Sequence, residues 1–325
     1  MWVVSELVWM DAPSRSGAQD NSRVKLWPWG LAAAAAGLAL VLFSTAGCAR
    51  AIVPADKALP LRAAPVVPGR VTVTQVRTAD GSKITIATFT GSVSYVLHNG
   101  SEDPGKLLAG PVTAGPRITG AGRARLLAAF NGGFMMKSLA GGYEQEGHIA
   151  RPLRAGLASL VIDKSGRARI GVWGSGVPAP GEDVYSVRQN LWPLVSGGVP
   201  TKQAARWWRW GGTIGHRQYV ARSALGENAA GDLIYAASMS TVPADLARAL
   251  AGAGATVAME LDINPEWVQL DVAGRPGGPL RAGIPGQHRP ANQYLTGWTR
   301  DFIAVLAPAS AAGQQSLKAG SGPVD

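Results

Sequence analysis

The sequence predicts an α+β fold made mostly of β-strands, with a strand–helix–strand unit near residues 233–262. Two observations carry this. Short runs that alternate polar and apolar side chains, separated by Gly-, Pro- or Ser-containing turns, recur along most of the chain, and period-two alternation marks half-buried strands. One segment breaks the pattern with apolar residues at helical spacing between two apolar runs. The 42 Gly and 22 Pro among 325 residues fit a turn-rich fold, and fit a GC-rich genome equally.

In chain order, residues 70–76 (RVTVTQV) and 83–89 (KITIATF) alternate on either side of Ala79-Asp80-Gly81-Ser82 and read as a hairpin. Residues 92–97 form a third candidate strand. Residues 126–130 run into Gly132-Gly133. Residues 159–163 and 169–173 flank Lys164-Ser165-Gly166, a second hairpin. Residues 233–237 are a strand; Thr241-Val242-Pro243 opens the helix, with Pro where its missing N–H costs nothing. Leu246, Ala247, Leu250 and Ala251 share one face, and Gly252 and Gly254 end the helix. Residues 256–261 (TVAMEL) then read as a buried strand, and residues 302–306 as the last one.

Outside this region the chain divides further. Residues 26–47 (LWPWGLAAAAAGLALVLFSTAG) are almost wholly apolar and long enough to cross a bilayer core. Arg23 and Lys25 before them predict that residues 1–25 stay cytoplasmic and the bulk is exported; Trp27 and Trp29 suit the interfacial belt. Three readings compete: an uncleaved transmembrane anchor, a cleaved secretory signal, and a lipoprotein signal ending at Cys48, although Thr45 stands where such signals usually carry Leu. Length and the preceding extension favour the anchor, and a start at Met10 shortens that extension. Residues 49–69 read as an extended Ala/Pro linker, 70–308 as the domain, and 309–325 as a disordered tail.

Cys48 is the single cysteine, so neither an intrachain disulfide nor a cysteine zinc site exists. The four histidines lack metal-ligand spacing, and no metal or cofactor is expected. The net charge of +10 favours anionic partners, but without a dense Lys/Arg run or a recognition motif no nucleic acid is expected. Phospholipid head groups or phosphate-bearing envelope polymers suit the charge better. Arg206-Trp207-Trp208-Arg209-Trp210 reads as a sugar-stacking or interfacial cluster, or as a buried tryptophan cluster.

Three places could carry chemistry. At Asn131-Gly132-Gly133-Phe134 a strand ends, and two glycines allow a sharp turn or a close approach of backbone to a ligand. At Arg222-Ser223-Ala224-Leu225-Gly226 an arginine ahead of a small-residue turn suits an anion or an ordinary ion pair. At Glu260-Leu261-Asp262, alternation places two carboxylates on one face at the end of the strand after the helix, where ligands gather in strand–helix–strand units, and Glu266 follows. Paired carboxylates there suit acid–base work on a glycosidic bond; they also suit loop anchoring.

These three segments, in this order and with the intervening helix, resemble the phosphodiester glycosidase family, of which the chain looks like a divergent bacterial member. The resemblance spans residues 71–308. It implies a hydrolase acting on a glycosyl phosphodiester or related sugar linkage in the cell envelope, with Asp262 as acid, base or nucleophile, Arg222 neutralising phosphate and Asn131 orienting the substrate. Gly132, Gly133, Glu260, Asn264 and Glu266 would line the substrate. The chain departs from the family after Asp262: Ile263-Asn264-Pro265-Glu266 replaces Gly-Gly-Gly-Ser, and Pro265 has no N–H to offer a phosphate. Asn264 and Glu266 are the replacement polar groups. The rival expectation is a non-catalytic envelope glycan- or polyanion-binding domain. The partners expected are thus a glycan or glycosyl phosphodiester, and the membrane through residues 26–47.

Overall fold

The computed structural model describes residues 67–309, except 212–214 and 216. Among them seventeen strands build three antiparallel sheets, and the α-helices are few and short. The first sheet begins with the hairpin β1 (Arg70–Arg77) and β2 (Lys83–Thr90), in which Arg70 faces Thr90 and Arg77 faces Lys83. It continues through β13 (Leu233–Thr241), β12 (Val220–Asn228), β14 (Ala255–Glu260), β10 (Pro193–Ser196) and β11 (Val199–Pro200).

The second sheet has the order β16 (Leu280–Ala282), β15 (Leu270–Ala273), β4 (Leu126–Asn131), β17 (Phe302–Leu306), β3 (Ser94–His98). The third runs β6 (His148–Arg151), β5 (Tyr143–Gln145), β9 (Ser186–Gln189), β7 (Ala158–Ile162), β8 (Ala168–Val172).

The expected α+β class is therefore corrected to a β-rich fold with little helix. The physical reason lies in where apolar surface is buried. Alternate residues of one strand serve two cores: Leu233, Tyr235 and Ala237 of β13 face the large core that all three sheets share, joined there by Phe89, Phe130, Leu160, Met259 and Ile303. Ile234 and Ala236 face the other way, with Ile84, Ile86, Ala224 and Ala258, onto Leu246, Ala247 and Leu250 of α2 (Pro243–Gly252). That ten-residue helix covers one face of one sheet, while sheet-to-sheet packing buries the rest.

The segments flanking α2 are also not neighbours. β12 lies between β13 and β14 and pairs antiparallel with both, so the crossover passes over a strand of opposite direction. A common row of carboxyl strand ends, on which the ligand argument for such units depends, does not exist in this antiparallel sheet. The helix begins with Pro243 in its first turn and carries Asp245 there, paired with Arg248 one turn on. Gly254, at φ +95°, turns the chain after it.

On the outer face of the second sheet, Tyr294 stacks on Phe302 (centroids 4.4 Å apart) and Trp298 packs edge-on against Trp267 (5.6 Å). Of the described residues, no helix is long and apolar enough to cross a membrane; the apolar segment 26–47, residues 49–66 of the linker and the tail from 310 onward lie outside the described residues.

Candidate functional site

β4 ends at Asn131 beside the start of β17, where Asn131 faces Phe302. The next two glycines leave the sheet through a space with no room for a side chain. The Gly132 N–H donates to the Asp301 carbonyl (3.0 Å), and a Cβ on Gly132 would lie 2.0 Å from Asp301 Oδ2. A Cβ on Gly133 would lie 2.8 Å from Arg188 Cζ. The glycines therefore allow a close approach, but to the protein's own buried ions. On the other side the Gly132 carbonyl accepts the Asp262 N–H (3.1 Å), which ties the end of the first sheet to the end of the second.

Around this crossing stand three arginine–carboxylate pairs, all buried. Arg188 of β9 reaches Asp301 (Nε–Oδ2 2.7 Å) and gives its other N–H groups to the carbonyls of Gln189 and Phe134. Arg222 of β12 meets Glu260 at the end of β14 (Nη1–Oε1 2.8 Å) and also donates to the Trp210 carbonyl (2.9 Å). Arg300, just before β17, places Nη2 between Asp262 Oδ2 (2.8 Å) and the Gly133 carbonyl (2.9 Å), with Asp103 3.4 Å from its Nε. Its guanidinium lies over Trp267, 5.3 Å from the ring centre. Each sheet thus supplies an ion to one place.

Electrostatics follows from burial. The Asp262 carboxyl is raised to about 6 by desolvation; Arg300, then the Ile263 N–H that donates to Oδ1 (2.8 Å), pull it back. Burial likewise pushes Glu260 up against the opposing pull of Arg222, and Asp103 up against Arg300. For Arg188, burial opposes the charge, but Asp301 outweighs it and the pKa rises. A carboxyl held near neutrality exchanges protons at physiological pH, which suits a general acid or base.

The expected site residues divide into distinct roles. Asn131 is fully engaged: its amide donates to the Gly132 carbonyl and Ser223 Oγ (2.9 Å each), and its oxygen accepts from Tyr235 (2.8 Å) and the Gln269 N–H (3.1 Å). Ser223 Oγ passes the link on to the Asp262 carbonyl (2.8 Å). Asn131 and Asp262 are therefore joined, through backbone rather than through a shared ligand space. Arg222 lies inside β12, not ahead of a turn, and both it and Glu260 are 0% exposed. Arg222 Nε and Nη2 and Glu260 Oε2 have no partner among the described residues.

β14 ends at Glu260, so alternation no longer governs Asp262, and the two carboxylates take different arginines. Asp262 is the one of the pair with solvent access, 9% of its side chain.

Asn264 closes a tight turn by accepting the Glu266 N–H (2.9 Å). Glu266 is half-exposed and pairs with His288 and Arg289, 2.7 Å each; the hydrogen bond from His288 and the charge of Arg289 hold it below the usual carboxylate range. Arg289 lies over Trp267 and Trp298. The segment that replaces triglycine thus fixes Trp267 above Arg300. Of the aromatic–basic cluster, Trp210 is buried and Trp208 exposed. Arg188, Arg300 and Asp301, which complete the site, carry no local signature: each reads as an ordinary charge beside a strand. His216 lies outside the described residues. No group of three or more His, Cys, Asp or Glu among the described residues could hold a metal ion.

No protein-family profile matches the chain, and no curated protein matches it. Solved structures show remote likeness. The catalytic domain of zebrafish N-acetylglucosamine-1-phosphodiester α-N-acetylglucosaminidase, auto-inhibited by its pro-peptide, is 15% identical with a TM-score of 0.46, over 75% of this chain and 84% of that one. A hypothetical protein from Synechocystis is 14% identical (TM-score 0.43, 73% and 62% covered). A protein from Burkholderia pseudomallei K96243 is 14% identical (TM-score 0.27, 74% and 57% covered).

Proposed function

We propose that this chain is an exported hydrolase of a glycosyl phosphodiester or related sugar linkage, with Asp262 as its acid–base group. The observation that supports this is the state of Asp262: a carboxyl near pKa 6, fixed by Arg300 and the Ile263 N–H, at the solvent edge of the point where three sheets meet. Export rests on the apolar segment at residues 26–47. In hydrolysis a water oxygen bonds to the anomeric carbon as the bond to the phosphate oxygen breaks; in this reading Asp262 gives a proton to the leaving phosphate, and the proton lost by the attacking water passes to solvent, from which Asp262 is reprotonated.

Arg300 Nη1 is buried and has no partner among the described residues, so an anionic group would use it only by displacing the residues that cover it. Arg222 and Asn131 act as positioning residues here, since both are buried and held by protein groups. Glycosyl phosphodiester binding with no turnover is the rival reading, favoured by the burial of Glu260 and by Pro265 in the loop after Asp262. The test is release of sugar from a fluorogenic glycosyl phosphodiester by the purified chain and by Asp262→Asn. A loss of about 100-fold or more is expected for a missing acid–base group. Equal rates sink the assignment, and tight binding without release by the wild type supports the rival.

A further inference from the structure

Away from the Asp262 site, a groove of about 520 Å³ runs between the outer strand of the first sheet and the β15–β16 hairpin of the second. Its size is that of an ordinary small-ligand cleft. Among the described residues β1 pairs only with β2, and β16 only with β15, so both walls are sheet edges there. Such edges present unpaired backbone N–H groups.

The lining carries Arg70, Arg275 and Arg281 and no acidic residue. None of the three forms an ion pair among the described residues, although ten such pairs form elsewhere. Apolar floor is supplied by Leu127 and Val272, both nearly inaccessible to solvent. Arg123 of α1 (Gly120–Arg125) braces the hairpin from below by donating to the Gly278 carbonyl (3.1 Å).

We infer that this groove binds a chain of phosphate groups, as a soluble linear polyanion. Guanidinium groups match phosphate oxygens in pairs, and three of them along a concave, acid-free wall concentrate positive potential. A depression between two strand edges admits a thread; a flat bilayer surface does not enter it. None of the lining residues belongs to the Asp262 site, so this inference does not rest on the hydrolase reading.

The experiment measures binding of fluorescently labelled inorganic polyphosphate to the purified chain, to Arg275→Glu/Arg281→Glu, and to Lys106→Glu/Lys164→Glu. The second pair removes the same charge from exposed positions outside the groove. Melting curves establish that each variant is folded. The groove variant is expected to lose at least about ten-fold in affinity, as for two lost charge-assisted contacts, and the control less than about two-fold. Where the groove pair alone unfolds the chain, Arg275→Gln/Arg281→Gln against Lys106→Gln/Lys164→Gln provides the same charge-matched comparison. Equal losses in both variants show a diffuse charge effect and overturn the inference. So does an undiminished affinity in the groove variant, or tighter binding to phosphatidylglycerol vesicles than to polyphosphate.

Discussion

Replacing Gly132 with alanine separates two explanations of the Asn131-Gly132-Gly133 turn. Gly132 has no positive φ, so its backbone accepts an L-residue and the obstacle is space. The added methyl would sit 2.0 Å from Asp301 Oδ2, 2.4 Å from its Cγ and 2.8 Å from its carbonyl oxygen. Asp301 cannot swing aside cheaply, because Oδ2 holds Arg188 at 2.7 Å and both side chains are essentially inaccessible. Either the pair breaks and leaves a buried guanidinium unmatched, or β4 and β17 part where the Gly132 N–H meets the Asp301 carbonyl. Losing one partner of a buried pair costs about 3–5 kcal/mol. In a domain of this size that lowers Tm by about 10 °C. The assay is thermal melting, with Gly81→Ala as reference: Gly81 sits at φ +86° with nothing within 4 Å of an added Cβ. Its cost is backbone strain alone, about 1–2 kcal/mol. If Gly132→Ala melts no lower than Gly81→Ala, the close-packing argument is wrong. A normal melt with weakened ligand binding would instead return the glycine to the ligand.

Asn131→Ala leaves the Gln269 N–H without its acceptor and the Tyr235 hydroxyl with only its longer bond to the Gln269 carbonyl (3.3 Å), and is expected to destabilise the chain by about 2 kcal/mol in denaturant titration. A change under about 0.5 kcal/mol, typical of an ordinary surface position, would remove Asn131 from the framework. The Asp262 carboxyl has a folded pKa of about 6 against 3.8 for the free side chain. Its contribution to stability is thus fully present below pH 3.8 and is lost as the pH rises through 6. Between those limits the wild type should lose up to about 3 kcal/mol relative to Asp262→Asn. A stability difference that stays constant from pH 4 to 7 contradicts the shift.

The strands that were legible carry a local pattern, either alternation of residue type or a short apolar run. Residues 70–76 and 83–89 alternate in type, although β1 is exposed along both faces and β2 is largely buried on both, Thr85 included. β12 was hidden. It is buried on both faces, its arginine reads as a surface residue, and its Gly226 reads as a turn. In the structure Gly226 sits mid-strand because an added Cβ would come 2.7 Å from Ala255 Cβ, a contact between segments 29 positions apart. The charge of Arg222 is tolerable only because Glu260 meets it, 38 positions away. Nothing local to residues 222–226 announces either partner. The carboxylates at 260 and 262 drew attention for a local reason, since charged groups closing an apolar strand are unusual. Their division between two arginines depended on Arg300, which no local pattern marks.

Buried ion pairs are poor evidence of stability, because desolvation consumes most of their attraction. Their arrangement here is more informative than their energy. Arg188–Asp301 joins the third sheet to the second, and Arg300–Asp262 joins the second to the first. Apolar faces alone would let three sheets slide against one another; oppositely charged groups at fixed heights on each one select a single docking. That accounts for the wholly buried members. It does not account for Asp262, whose side chain keeps a small exposed edge and whose Arg300 partner keeps a buried, unused donor. An anionic group arriving at that edge would place negative charge beside a carboxyl already near pKa 6, and like charge favours the protonated form. On the proposed reading, the ligand would then carry Asp262 into the complex as an acid.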